Sequence, residues 1–159
     1  MTISANMQSK IDKITALISE GYTLKKNGWV VDFRNSSGRP VNTFGFFRSP
    51  AGFSWIAFFF PFAVCTQIKE WSYFYVSGVL FAAVSLLTGF LGLNSDSTGS
   101  YASIGICIFY GYTFPYLRLL AKQAGTEENG KAKSIFLGLF LAVVAAIPSI
   151  IIDVLFESA

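Results

Sequence analysis

Four apolar stretches fill the chain after residue 52, at 53–68, 71–93, 101–117 and 134–156. A helix needs about 20 apolar residues, with a range of roughly 17–25, to cross a hydrocarbon core of about 30 Å. The second and fourth stretches meet that length. The third reaches it if Arg118 extends its side chain back to the headgroups. The first has 16 residues with Pro61 near its middle, and falls short. Composition points the same way: 13% of residues are charged and 53% hydrophobic, against roughly 25% charged in soluble domains. Residues 1–52 are polar and lack the apolar core and small-residue cleavage site of a signal peptide, so the first hydrophobic stretch is expected to remain as an anchor.

Charge placement decides what 53–68 does. If it stays on the cytoplasmic side, then 71–93 goes out, 101–117 returns and 134–156 goes out again. All 12 Lys and Arg are then cytoplasmic, while Asn94–Ser100 and the C-terminal end carry only Asp96, Asp153 and Glu157. If it crosses, Lys69 and the four basic residues of 118–133 lie outside, seven against five. The positive-inside rule prefers the first arrangement. The expected fold is a membrane α-helical protein. It has three transmembrane helices, an interfacial or re-entrant aromatic segment within 48–70, a cytoplasmic N-terminus and an outside C-terminus. Trp and Tyr collect at membrane–water interfaces, so Phe53, Trp55, Pro61, Trp71 and Tyr73 are the expected anchors, with Tyr75 beside them and Tyr101 at the opposite face.

Residues 1–47 read as a small αβββ head. Ser4 is placed to cap a helix over 4–20 whose Ile11, Ile14, Leu17 and Ile18 share one face. That helix either covers a small sheet or lies on headgroups. Gly21 suits its left-handed end. Tyr22–Lys26 and Trp29–Phe33 flank Asn27-Gly28, the pair favoured in two-residue type I′ hairpins; this register sets Lys26 opposite Trp29 and Leu24 opposite Val31. Val41–Phe47 is expected to return as a third strand, because a lone hairpin is marginal in water. With seven basic and three acidic residues over 1–52 the head carries +4. It suits an anionic lipid surface, where each basic residue contributes about 1 kcal/mol.

The run Phe53, Ser54, Trp55, Ala57, Phe58, Phe59, Phe60, Pro61, Phe62, with Lys69 and Trp71 at its exit and Tyr116-Leu117-Arg118 later, resembles a family of small bacterial membrane proteins, domain of unknown function 2628. The resemblance covers roughly residues 53–122. It departs at Thr66-Gln67-Ile68-Lys69, where that family has a Tyr-Arg-Lys exit. It implies a bacterial inner-membrane placement and brings no activity or cofactor with it.

No catalytic constellation stands out. There is no His, phosphate-binding glycine loop, nucleophile elbow or Cys/His cluster. Cys65 and Cys107 sit in apolar runs as small hydrophobes, and Glu127-Glu128 lies in a polar loop that reads as solvated. The chain is therefore expected to be non-enzymatic, without cofactor, metal or nucleic-acid partner. Small residues recur every four positions as Ser103, Cys107 and Gly111, as Gly138, Ala142 and Ala146, and as Ser85 and Gly89. Such stripes let helices approach closely in lipid, so the expected partners are the bilayer and either copies of the chain or another membrane protein. Asp153 is the one ionisable residue inside a span and a candidate ion or proton site; at about 29 Å from Ser134 it stands near the far interface. A second reading is a small homo-oligomeric channel or transporter lined by Asp96, Asp153, Glu157, Ser77, Ser85, Thr88 and Thr113.

Overall fold

The computed structural model describes residues 4–44, 49–93 and 95–158. It is mostly helical. The order is α1 (Ala5–Ser19), β1 (Thr23–Asn27), β2 (Val30–Arg34), α2 (Trp55–Phe59), α3 (Pro61–Gln67), α4 (Ser72–Leu91), α5 (Ser95–Gln123) and α6 (Lys131–Glu157). Three helices, α4, α5 and α6, are long and apolar enough to span a membrane.

The head forms as a helix and a two-stranded sheet. Ser4 caps α1 by accepting from the Met7 N–H at 3.3 Å, and Met7, Ile11 and Ile14 are buried along one face. The hairpin forms, but each strand starts and ends one residue later than expected and the register differs. Lys26 pairs with Val31, Leu24 with Phe33, and Asn27 with Val30. The loop is thus Gly28-Trp29, with Gly28 at φ +62° and Asn27 on the ordinary side of the map. A type I′ turn needs positive φ at both loop residues, which Trp29 does not supply; a glycine at the first loop position is the requirement of type II′. The two-residue slip keeps every side chain on its own face. It also sets Trp29 against Phe109, ring centroids 5.5 Å apart. No third strand forms over 41–44: Pro40 makes one isolated bridge to Arg34, and the Val41 N–H donates to the Phe33 carbonyl. Residues 45–47 lie outside the described ones.

The segment 53–68 breaks in two at Phe60, because Pro61 removes a donor and disfavours helical geometry in the residue before it. Phe60 accordingly sits at φ −131°, ψ 51°, and Pro61 opens α3 at a position where its missing N–H costs nothing. At 1.5 Å per residue α2 and α3 are about 8 and 10 Å long, far short of a crossing. Four helices end alike, with the left-handed residue's N–H reaching back three positions and the next N–H five: Gly21, Lys69, Gly92 and Gly125. Lys69, at φ +57°, is the one non-glycine among the described residues to take that conformation.

α4 and α6 pack side by side with a constant offset, Gly78 meeting Ala145 and Gly89 meeting Phe156; they run the same way and α5 runs against them. The Ser72 and Tyr110 hydroxyls, 3.0 Å apart, set the first turn of α4 level with the middle of α5. α5 continues 13 residues past Tyr110, about 20 Å. This inner half is sheathed by α1, the hairpin and α2–α3, and residues 111–119 are all buried. The head and the bundle share one core, running from Ile11, Ile14 and Phe33 to Tyr110, Phe114 and Tyr116.

Candidate functional site

Two regions gather the residues that the sequence singles out. The first is a collar at the level of Ser72 and Tyr110, built by α2 and α3. Pro115 has no N–H, so the carbonyl of Gly111, four residues earlier, loses its normal helical donor. It accepts instead from the Ser54 N–H at 2.8 Å, and Phe53 packs its ring directly on Gly111, where a side chain would collide with it. On the other side Gly138 of α6 lies against the Phe62 carbonyl, which stands 2.7 Å from where a Cβ would be. The collar is thereby clamped between two glycines on two different helices.

Of the five expected anchors, Trp55 and Trp71 are exposed on the outer surface of this collar. Phe53 and Tyr73 are half-buried, Tyr73 standing edge-on to Tyr110 at 5.2 Å, and Pro61 is buried. Phe59, Phe60 and Tyr75 join the exposed aromatic rim. Tyr101, toward the opposite end, is 75% exposed. Of the small-residue stripes, Gly111 and Gly138 are consumed inside the fold, Cys107, Ala142 and Ala146 are half-buried, and Ser103 is exposed.

Two ion pairs tie the collar to its surroundings, and spacing in the sequence does not announce either. Lys26 of β1 donates to both oxygens of Glu70, each at 2.7 Å. Glu70 is 7% exposed and also accepts from the Ser72 N–H. Arg118 is buried and donates to Glu128 at 2.8 and 3.1 Å, its guanidinium 6.0 Å from the Phe114 ring centre. The expected extension of Arg118 to headgroups and the solvated reading of Glu128 are both corrected: the 124–130 loop folds back onto the protein. Asn129 in it is buried and donates to the Thr66 carbonyl at 2.8 Å. The physical reason is Arg118 itself, since a charge buried on the sheathed half of α5 requires a partner. Complete burial pushes the Cys65 thiol well above its ordinary range, with Glu70 adding to the effect.

The second region is a crevice among α4, α5 and α6 nearer their other ends. Its volume is about 340 Å³, and Phe81, Val84, Ser85, Ser103, Ser149 and Asp153 are among its lining residues. The structure therefore brings Asp153 and Ser85 together. It does not bring Ser77, Thr88 or Thr113 to that face. Ser77, Thr88 and Thr113 are buried and donate to carbonyls of their own helices, those of Tyr73, Val84 and Phe109. The side chains of Asp96 and Glu157 lie outside the described ones.

Among the described residues no group of three or more His, Cys, Asp or Glu side chains is placed to hold a metal. Compared with known protein families, with curated proteins and with solved structures, the chain matches none.

Proposed function

We propose that the chain is a non-enzymatic integral membrane protein of the bacterial inner membrane that acts by association within the bilayer, with copies of itself or with another membrane protein. In this reading the head and collar are cytoplasmic, α4 leads out, α5 returns, α6 leads out again, and the C-terminus is periplasmic. The exposed aromatic rim of the collar rests at the headgroups, in keeping with the resemblance carried by 53–62.

The observation that carries the proposal is how unevenly the helices are used. Of the most apolar stretch of α5, 61% is buried inside the molecule, against 6% for α6. α6 rests one face on α3 and α4 and leaves the other, with Phe136, Phe140, Val143, Ile147, Ile150 and Val154, to lipid or to a partner. The outer half of α5 adds an open face of Tyr101, Ser103, Ile104 and Gly105, where small residues permit close approach. A small channel or transporter is the second reading; the self-bonded Ser77, Thr88 and Thr113 weigh against a polar path along the bundle.

The test is a photo-crosslinker at position 103 in native membranes, combined with the mass of the 17.4 kDa chain in mild detergent, corrected for bound detergent. A discrete oligomer with a crosslinked homodimer supports self-association. A monomer that crosslinks to a second protein supports a hetero-partner. A monomer with no crosslinked product overturns the proposal.

A further inference from the structure

The crevice beside Asp153 holds a charge with no counterpart. Among the described residues the Asp153 carboxylate makes no ion pair and accepts no hydrogen bond. No Lys or Arg occurs between 69 and 118 or from 134 to 159, so the chain has no cation of its own on α4, on the outer half of α5 or on α6 beyond its first turn. The carboxylate stands four residues inside the end of an apolar helix, partly exposed, where a cation from outside would meet no competing partner from the chain.

The surrounding groups specify that something. Ser85 is 6% exposed, and its hydroxyl has no hydrogen-bond partner among the described residues. Ser103 faces the same space, and Ser149 donates to the Ala146 carbonyl at 2.8 Å, which leaves its oxygen free to accept. One carboxylate and three hydroxyl oxygens match the three N–H donors and single charge of an ammonium group. Phe81 supplies an aromatic face, the preferred neighbour of an organic cation, and Val84 an apolar wall. At about 340 Å³ the space falls at the lower end of the roughly 300–1,000 Å³ of small-molecule sites. It is about ten times the roughly 30 Å³ share of one water. A dehydrated metal ion would leave most of it unfilled.

We infer that the crevice among α4, α5 and α6 is a binding site for a small, singly charged organic ammonium compound, with Asp153 as its counter-ion and Ser85, Ser103 and Ser149 as its acceptors.

Thermal unfolding of the full chain in detergent, followed by Trp fluorescence, tests the inference with ethanolammonium chloride against sodium chloride at equal ionic strength. The expected result is a saturable rise in midpoint, about 5 °C or more at a hundredfold excess over half-saturation, with ethanolammonium alone. Asp153→Asn removes it. Ser103→Ala, at an exposed position that folding does not use, raises the half-saturating concentration several-fold. Glu20→Gln, which removes an exposed carboxylate of the head, leaves it unchanged. Should Asp153→Asn not fold, Ser103→Ala decides. No rise in the parent protein, an equal rise with sodium, or a rise that survives Asp153→Asn or is unaffected by Ser103→Ala would overturn it.

Discussion

Gly138 and Gly105 are the same residue on two long helices, and their surroundings give them opposite consequences. A Cβ on Gly138 would stand 2.7 Å from the Phe62 carbonyl oxygen, which is backbone and cannot swing aside. A Cβ on Gly105 would meet nothing within 4 Å. Gly138→Ala is therefore expected to cost about 1–3 kcal/mol by overpacking, while Gly105→Ala gains up to about 1 kcal/mol of helix propensity. Unfolding midpoints in one detergent should fall for the first and hold or rise for the second; the reverse order would show that α3 does not seat on α6. The four-residue spacing marks Gly138 and Gly111 in the sequence, yet spacing alone does not say which stripe is used internally. That depends on the collar, whose position is decided by contacts 50 to 80 residues away. Gly78, against Ala145, is likewise set by a residue 67 positions away. Pro115 offered a readable clue: a proline inside a helix frees one carbonyl at a known place, and the Ser54 N–H fills it.

At the scale of elements, the hairpin and the collar are one device. The strands were legible from alternation and from Asn27-Gly28, but the register was not, because a slip of two residues conserves both faces and pattern cannot choose between them. What favours the observed register is tertiary: it accompanies Trp29 on Phe109 and Lys26 on Glu70. Lys26→Met keeps most of the alkyl stem and removes the ammonium. Glu70, 7% exposed, is then left with the Ser72 N–H, and the expected cost is about 2 kcal/mol. Adding Glu70→Gln should recover much of it, because the orphaned charge is gone. A double mutant as unstable as Lys26→Met would mean that Lys26 acts by packing and that the pair does not couple hairpin to collar.

For the whole molecule, the question is on which side of the bilayer each end stands. α4 and α6 are parallel and α5 is antiparallel, so the start of α4, the sheathed half of α5 and the start of α6 share one end of the bundle. That end carries the head, the collar and every Lys and Arg among the described residues; the other carries Asp153. Segregation this complete is what the positive-inside rule reads, and it is the ground for the proposed three-span topology. Two cysteines test it in a background with Cys107 replaced by Ala; Cys65 can stay, being fully buried and poorly ionised. Lys69→Cys lies on the exposed turn after α3, and Ser158→Cys lies just past α6. A membrane-impermeant maleimide added to intact cells should label position 158 and spare position 69, with position 69 labelled once the membrane is opened. Thr66, though close by, is buried and would report burial instead of sidedness. Labelling of position 69 from outside would mean that 53–68 crosses after all, despite a helix broken at Phe60 and two pieces of about 8 and 10 Å.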